Sequence, residues 1–152
     1  IPVLPFADTV TPGIILGQAI GRIANFMNGD AFGHPTGQDF GLLYPDTTLA
    51  YHTYGAQPLW PAEVWECQGD LLIFVLLLWY GCKTRAEGTT FCLYIMFYSL
   101  LRFFLENYRG DYGTLALGLK SAQLTSLAAF AGAFILFLYF HFKHKSKSGI
   151  SE

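Results

Sequence analysis

Charged residues are scarce in this sequence: Asp, Glu, Lys and Arg together make up 13% of it, while 53% is hydrophobic and 17% aromatic. A soluble domain carries about 25% charged residues, so the composition indicates that lipid surrounds much of the chain. The nine Lys and Arg residues form no basic stripe outside the final tail, which argues against nucleic-acid binding. We therefore expect an integral membrane protein without a nucleic-acid partner.

Cysteine and histidine are also few and scattered. The three cysteines and four histidines show none of the spacings that are typical of metal-ligand sets. We therefore expect no metal site, and we interpret the cysteines as small apolar packing residues.

Four apolar segments are compared with the roughly 20 residues that a helix needs to cross a bilayer. They cover about 11–27, 61–81, 89–108 and 120–142. In the first segment Gly13, Gly17 and Gly21 recur every fourth residue, which predicts a stripe for close helix packing. The fold class is thus an all-α membrane protein, with residues 1–152 forming a single transmembrane domain of about four transmembrane helices.

Residues 28–60, between the first two helices, have a different composition. They are rich in Gly, Pro, Asp and Tyr and lack helical periodicity, so we interpret them as a small irregular extracytoplasmic head. Five of the nine Lys and Arg residues lie in the loop after the second helix or in the C-terminal tail: Lys83, Arg85, Lys143, Lys145 and Lys147. The positive-inside rule places this loop and the C-terminus in the cytoplasm.

Residues 21–30 include an arginine, Arg22, within an apolar segment near the outer end of the first helix. Arg22 and Asn25 are three residues apart and share a helix face, where a guanidinium and a carboxamide can cradle a phosphate. An ionisable residue inside a membrane helix is a functional candidate by default. The alternative is that Arg22 extends to the head-group level or pairs with a carboxylate.

The third helix carries a second polar stripe, in which Tyr98, Arg102 and Glu106 are spaced four residues apart and Arg109 follows. Arg102 can reach Glu106, so a local ion pair that orients the helix end is one alternative. The other is a site for a phospholipid head group, because two arginines arrive from two helices on the same side of the membrane.

Residues 60–66, at the outer start of the second helix, admit two interpretations. Glu63 and Glu66 suit the positive end of a helix dipole, and Trp60 and Trp65 suit an interfacial aromatic belt, so a simple helix start is as good an interpretation as a site. Asp70 lies deeper, and the sequence assigns it no partner.

Together these runs resemble the prolipoprotein diacylglyceryl transferase family of bacterial inner membranes. Residues 21–30, with Gly33 following, are similar to the family signature GRxxNFxNxExxG, with Asp30 where Glu is usual. The stripe from Tyr98 to Arg109 resembles the family's second essential-arginine segment. Residues 60–66 resemble the family's HPxxLYE run, with Trp in place of both His and Tyr.

The resemblance covers nearly the whole chain but only the C-terminal portion of a typical family member. The family's upstream helices, which carry an HGG-type motif, have no counterpart in this sequence. The chain opens with Ile1 rather than Met, inside Pro-rich apolar text. We therefore expect an N-terminally incomplete polypeptide.

The resemblance implies a reaction of lipoprotein biosynthesis that needs no cofactor. A diacylglyceryl group passes from phosphatidylglycerol to the thiol of the lipobox cysteine in a prolipoprotein, and glycerol phosphate leaves. The implied partners are phosphatidylglycerol, prolipoprotein signal peptides with a lipobox and membrane lipids, and the implied location is the bacterial inner membrane. One alternative is a degenerate or truncated family member with a lipid-binding or structural role, and another is a small transporter subunit.

The resemblance also implies roles for individual residues. Arg22 and Arg102 are the expected catalytic phosphate clamps, and Glu106 orients Arg102. The expected substrate-binding residues are Arg22, Asn25, Asn28, Asp30, Gly33, Tyr98, Arg102 and Arg109. The base that takes the thiol proton is not visible in this sequence.

Overall fold

The computed structural model describes residues 2–82, 86–110 and 120–148, with side chains in the last range described up to Lys145. Over these ranges the chain is helical, with isolated β-bridges and no strand. Three helical stretches there are long and apolar enough to cross a membrane: 3–28, 89–108 and 121–145. The protein is an all-α membrane protein. Its helices are α1 (Val3–Asn28), α2 (Leu49–Tyr54), α3 (Ala62–Gly81), α4 (Thr89–Leu105) and α5 (Ser121–Ser148), and a 3-10 turn, Glu106–Tyr108, follows α4.

The first helix is longer than the sequence predicts. It begins at Val3 rather than near residue 11, so Pro12 lies inside the helix and not in its first turn. Asp8, in the added part, is buried, and its carboxylate accepts the backbone N–H groups of Gly88 at 2.7 Å and Phe91 at 2.9 Å. This carboxylate caps the N-terminus of α4, where an anion is favoured. The helix can therefore carry an acidic residue within apolar text.

The last helix is also longer, since α5 continues to Ser148 rather than ending near residue 142. Lys143 and Lys145 therefore lie in its final turns, where a cation is favoured by the helix dipole.

Helix α3 packs between α1 and α4, and α5 packs on α4. The core consists of Ile15 of α1 with Ile73 and Leu77 of α3, and aromatic residues of α4 cover it. Because successive helices alternate in direction, one end of the bundle brings together the end of α1, the start of α3 and the end of α4. The head joins the bundle at this end.

The glycine stripe of α1 does not make the predicted close contact. Apart from the adjoining residues and backbone of α1 itself, no atom in the described part of the chain lies within 4 Å of a Cβ built on Gly13, Gly17 or Gly21. Helix α1 instead packs through another face, whose buried residues are Asp8, Thr11, Ile15 and Ala19. The close helix approach lies at Gly69 of α3, where a Cβ would collide with the side chain of Leu101 on α4.

The head, residues 28–60, contains α2 and a small core of Phe32, Ala50 and Leu59. His34 links it to two helix ends, because its N–H donates to the Tyr108 carbonyl at 2.9 Å and its carbonyl accepts the Trp60 N–H at 3.0 Å. Next to it, the Trp60 carbonyl fills the space where a side chain at residue 33 would begin. The head thus ties the end of α4 to the start of α3.

Candidate functional site

A buried ion cluster lies where the head joins the helices, and Glu66 of α3 is its centre. Its Oε1 atom is 2.6 Å from Nη2 of Arg22 and 3.3 Å from Nη1 of Arg102, and its Oε2 atom is 3.4 Å from Nη1 of Arg109. Only 1% of the Glu66 side chain is exposed. Two helices and the segment after α4 therefore direct three guanidinium groups at one carboxylate.

A second carboxylate fixes the orientation of Arg102. Its Nη2 atom lies 3.1 Å from Oε2 of Glu106, one helical turn further along the chain, and Glu106 is fully buried. Arg102 is therefore held between a carboxylate of α3 and one at the end of its own helix. This geometry is the one that the predicted orienting role of Glu106 requires.

Exposure separates the three arginines into two kinds. Side-chain exposure is 18% for Arg22 and 16% for Arg102, against 5% for Arg109. A guanidinium carries several N–H donors in a rigid fork, so the two more exposed arginines can offer donors to a further anion while they remain paired with Glu66. Arg109 is placed to brace Glu66 from the buried side.

Two more carboxylates lie on the same helix. Glu63 and Asp70 are fully buried, and no hydrogen bond to their side-chain oxygens is present within the described ranges. With Glu66 they follow a spacing of three and then four residues, so all three occupy one face of α3. The structure, like the sequence, gives Asp70 no direct partner among the described residues.

A cavity of about 310 Å³ separates α4 from α5 near the ion cluster, and Arg102 and Tyr98 line it. Tyr98 stacks on Tyr94, which also lines the cavity, with ring centroids 6.0 Å apart. Ser99 of α4 and Thr125 and Ser126 of α5 add hydroxyl groups, and the other lining residues are Ile95, Ala122 and Ala129. The cavity is therefore polar on the side of Arg102 and has room for part of a lipid.

The remaining predicted site residues lie outside these contacts. Asn25 and Asp30 are half-buried and Asn28 is exposed, at or just past the end of α1. No hydrogen bond or ion pair of these three side chains occurs within the part of the chain that the structure describes. Gly33 has a packing reason for its identity, since it forms a β-bridge with Arg109 and faces the Trp60 carbonyl.

Sequence reasoning missed the role of Glu66. Its position in the first turns of a helix offered a sufficient local explanation, so it was not included among the site residues. The signal that was available is the spacing of Glu63, Glu66 and Asp70, three acidic residues on one face of an otherwise apolar helix. Such a stripe calls for cations on the neighbouring helices, and Arg22 and Arg102 meet it at Glu66.

Comparison with known proteins identifies the family to which this site belongs. The family model of prolipoprotein diacylglyceryl transferases matches residues 1–139. The chain belongs to this family. Relatives include a phosphatidylglycerol–prolipoprotein diacylglyceryl transferase of Clostridioides difficile, 37% identical over 98% of this chain and 55% of the relative. A protein of the same name from Thermosynechococcus vestitus is 40% identical over 90% of this chain and 52% of the relative.

A third relative is phosphatidylglycerol–prolipoprotein diacylglyceryl transferase 2 of Clostridium perfringens, 33% identical over 97% of this chain and 56% of the relative. The chain therefore spans about half the length of the curated relatives that it matches. The ion cluster around Glu66 is the candidate functional site of this chain.

Proposed function

We propose that the protein transfers the diacylglyceryl group of phosphatidylglycerol to the lipobox cysteine thiol of prolipoproteins. The observation that carries the proposal is the pair Arg22 and Arg102, which converge on one carboxylate and still keep 18% and 16% of their side chains exposed. A phosphodiester needs such preorganised cations, and membership of the family supplies the reaction.

The reaction forms one carbon–sulfur bond and breaks one carbon–oxygen bond. The acceptor thiol attacks as thiolate at the glyceryl carbon that carries the phosphate. That carbon–oxygen bond breaks, and glycerol phosphate leaves. Negative charge grows on the phosphate oxygens during this step, so guanidiniums held in place beforehand stabilise the transition state more than the ground state. In this proposal the exposed edges of Arg22 and Arg102 contact the phosphate.

The other predicted residues take supporting roles. Glu106 orients Arg102, and Arg109 braces Glu66 from the buried side, so both act through the two clamping arginines. Tyr98 lines the cavity next to Arg102, and its hydroxyl donates a hydrogen bond to the head group. Asn25, Asn28 and Asp30 lie at the end of α1 and contact polar atoms of the substrates, while Gly33 keeps the head close to Trp60.

We place the protein in the bacterial inner membrane with the head outside and the C-terminal tail in the cytoplasm. Phosphatidylglycerol reaches the site from the surrounding bilayer, with the cavity between α4 and α5 as the place for part of the lipid. The lipobox of the signal peptide then meets the ion cluster at the head side. Membrane lipids contact the apolar outer faces of the helices.

Two alternatives predict different chemistry. A transporter subunit needs polar groups in a path across the bilayer, whereas the ion pairs around Glu66 and Glu106 gather at one end of the bundle. A degenerate family member with only a structural role has no need of exposed arginine edges. The cited relatives are named as transferases, and nothing in them favours either alternative.

Conservative changes of the two arginines test the proposal. The full-length protein is placed in vesicles with phosphatidylglycerol and a lipobox peptide, and the mass increase of the peptide measures transfer. Lysine keeps the charge but loses the planar fork. Losing one charge-assisted contact predicts that Arg22→Lys and Arg102→Lys each lower transfer roughly tenfold or more.

The matched control is Lys143→Arg, since Lys143 is exposed near the end of α5. It should leave transfer unchanged, and Glu106→Gln should lower transfer less than Arg102→Lys because it acts indirectly. Full transfer by both arginine variants would show that these arginines only anchor the helices, and the phosphate-clamp mechanism would then be wrong.

A further inference from the structure

Lys120, just before α5, reaches into the end of α4. Its ammonium donates to the backbone carbonyls of Glu106 at 2.7 Å and Arg109 at 2.6 Å, and it lies 4.0 Å from Oε1 of Glu106. Only 13% of the Lys120 side chain is exposed. The Lys120 side chain therefore contacts the backbone of two residues of the ion cluster, and it also lies near the carboxylate of Glu106.

These contacts match the needs of a helix C-terminus. The last carbonyls of a helix have no partner within the helix, and a cation is favoured there by the helix dipole. Arg109 is the C-cap residue of the 3-10 turn Glu106–Tyr108, so Lys120 caps the end of the helical stretch that begins with α4. The cap comes from the residue that immediately precedes α5.

The two capped residues, Glu106 and Arg109, take part in holding the guanidinium of Arg102. Glu106 is the second carboxylate on Arg102, at 3.1 Å, and Arg109 holds Oε2 of Glu66 at 3.4 Å. A shift of the backbone at Glu106 and Arg109 therefore moves one carboxylate that orients Arg102 and one guanidinium that holds the other carboxylate. The ammonium also offsets the second negative charge of the cluster, which lies buried beside it.

Gln123 makes a separate tie between the same helices. Its Nε2 atom donates to the Phe103 carbonyl at 3.3 Å and to Oδ1 of Asn107 at 3.1 Å. Among the described residues, its side chain makes no hydrogen bond to Glu106, Arg109 or either clamping arginine. The Oε1 atom of Gln123 also accepts the backbone N–H of Lys120 at 3.0 Å, so a change at Gln123 loosens the start of α5 but keeps the Lys120 ammonium. Gln123→Leu is therefore the control for the charge of Lys120.

We propose that Lys120 is a positioning residue of the anion site: by capping the end of α4 at Glu106 and Arg109, it holds Arg102 in the orientation that binds the lipid phosphate. This inference rests on the proposed function, because it concerns the same anion. It assigns to α5 a part in the site beyond lining the cavity. Lys120 itself acts through Glu106 and Arg109 and does not contact the lipid.

The test measures lipid preference directly. The purified full-length protein is equilibrated with equal amounts of phosphatidylglycerol and phosphatidylcholine, and native mass spectrometry gives the ratio of the two bound lipids. Lys120→Met keeps the apolar stem and removes the ammonium, and losing charge-assisted hydrogen bonds predicts a roughly tenfold lower preference for phosphatidylglycerol. Gln123→Leu should lower the thermal unfolding temperature and leave the lipid preference within about twofold of wild type, since it spares the charge-assisted contacts.

Chemical rescue separates positioning from folding. Lys120→Cys is prepared with the exposed native Cys82 changed to Ser. Alkylation with bromoethylamine restores an ammonium at nearly the original length, and alkylation with iodoacetamide gives a neutral side chain on the same folded protein. The aminoethylated protein should regain the preference for phosphatidylglycerol, and the neutral product should not. This comparison also replaces Lys120→Met if that variant does not fold.

Three results would overturn the proposal. The first is an unchanged preference in Lys120→Met while Arg102→Lys loses it, which leaves the proposed function standing. The second is an equal loss in Gln123→Leu and Lys120→Met, which means that general α4–α5 packing holds the arginine. The third is equal behaviour of the two alkylated products. If the wild-type protein itself shows no preference for phosphatidylglycerol, the proposed function fails together with this inference.

Discussion

At the scale of single residues, Glu66 determines whether three arginines can lie together at the end of the bundle. Three guanidiniums within 2.6 to 3.4 Å of one carboxylate repel one another and need that carboxylate as their common counter-ion. Breaking a buried ion pair by removing one partner is more costly than never forming it, because the other charge stays buried. In this cluster one substitution removes the shared carboxylate from three arginines, of which Arg102 keeps Glu106 as a second partner.

Glu66→Gln tests this dependence while keeping the size of the side chain. We expect a loss of about 3–5 kcal/mol in the free energy of unfolding, the range found for broken buried pairs. Thermal unfolding in detergent, followed by circular dichroism, measures the change. Glu87→Gln is the control, because Glu87 is exposed before α4 and its change should be close to neutral. Equal unfolding temperatures for the two variants would contradict the central role of Glu66.

At the scale of the elements, the two glycine positions on α1 and α3 have opposite surroundings. Gly17 faces open space within the described chain, whereas a Cβ on Gly69 meets Leu101. A sequence pattern shows that a helix has a stripe of small residues, but it does not show which helix lies against the stripe. The Gly13, Gly17 and Gly21 pattern therefore led to a wrong expectation for this chain, while the single Gly69 carried the close approach.

A pair of substitutions distinguishes these two surroundings. Gly69→Leu should destabilise the protein by about 1–3 kcal/mol, because extra atoms in a packed contact force neighbouring side chains to move. Gly17→Leu should change stability little, because its side chain enters unoccupied space and leucine favours helix more than glycine does. Both are measured by thermal unfolding of this chain in detergent. A larger loss in Gly17→Leu would show that the α1 stripe is a packed surface after all.

Helix α3 combines a polar half and an apolar half. Glu63, Glu66 and Asp70 occupy its first half and are all buried, while residues 71–80 are wholly apolar. The acidic face turns toward α1 and α4, so lipid does not meet these charges. That arrangement lets a helix with three acidic residues lie among the more apolar helices of a membrane protein.

At the scale of the whole molecule, the orientation in the membrane is a prediction from charge placement. The lysines and arginines of the C-terminal tail and of the loop after α3 predict that both lie in the cytoplasm. The ion cluster lies at the opposite end of the bundle, next to the head. This orientation places the site at the outer surface of the membrane.

Cysteine labelling of intact cells tests the orientation. With the native cysteines replaced, a membrane-impermeant maleimide should label Gly37→Cys in the head and should leave Ser148→Cys unlabelled until the membrane is opened. Gly37 is exposed, so its labelling does not depend on local unfolding. Labelling of Ser148→Cys alone in intact cells would reverse the assignment.

By itself, the sequence determined that lipid surrounds much of this protein, that its fold class is an all-α membrane protein, and where most of its helices lie. Low charge and long apolar runs are visible in the sequence itself. Each of these runs predicts a membrane helix on its own, because a spanning helix satisfies its own backbone hydrogen bonds. Arg22 and Arg102 were also recognisable as functional candidates, because a charge within an apolar helix is costly whichever helices pack around it. These inferences need no knowledge of neighbours.

Only the tertiary structure decided which charges meet. Arg22, Glu66 and Arg102 are far apart in the chain, and their contacts depend on the order in which the helices pack. The same holds for Asp8 of α1, which caps the start of α4. It also holds for Lys120, which precedes α5 and caps the end of the helical stretch of α4. Local spacing shows which face of a helix a residue occupies, whereas the partner on that face is set by packing between helices, and pairs of this kind make up the candidate site.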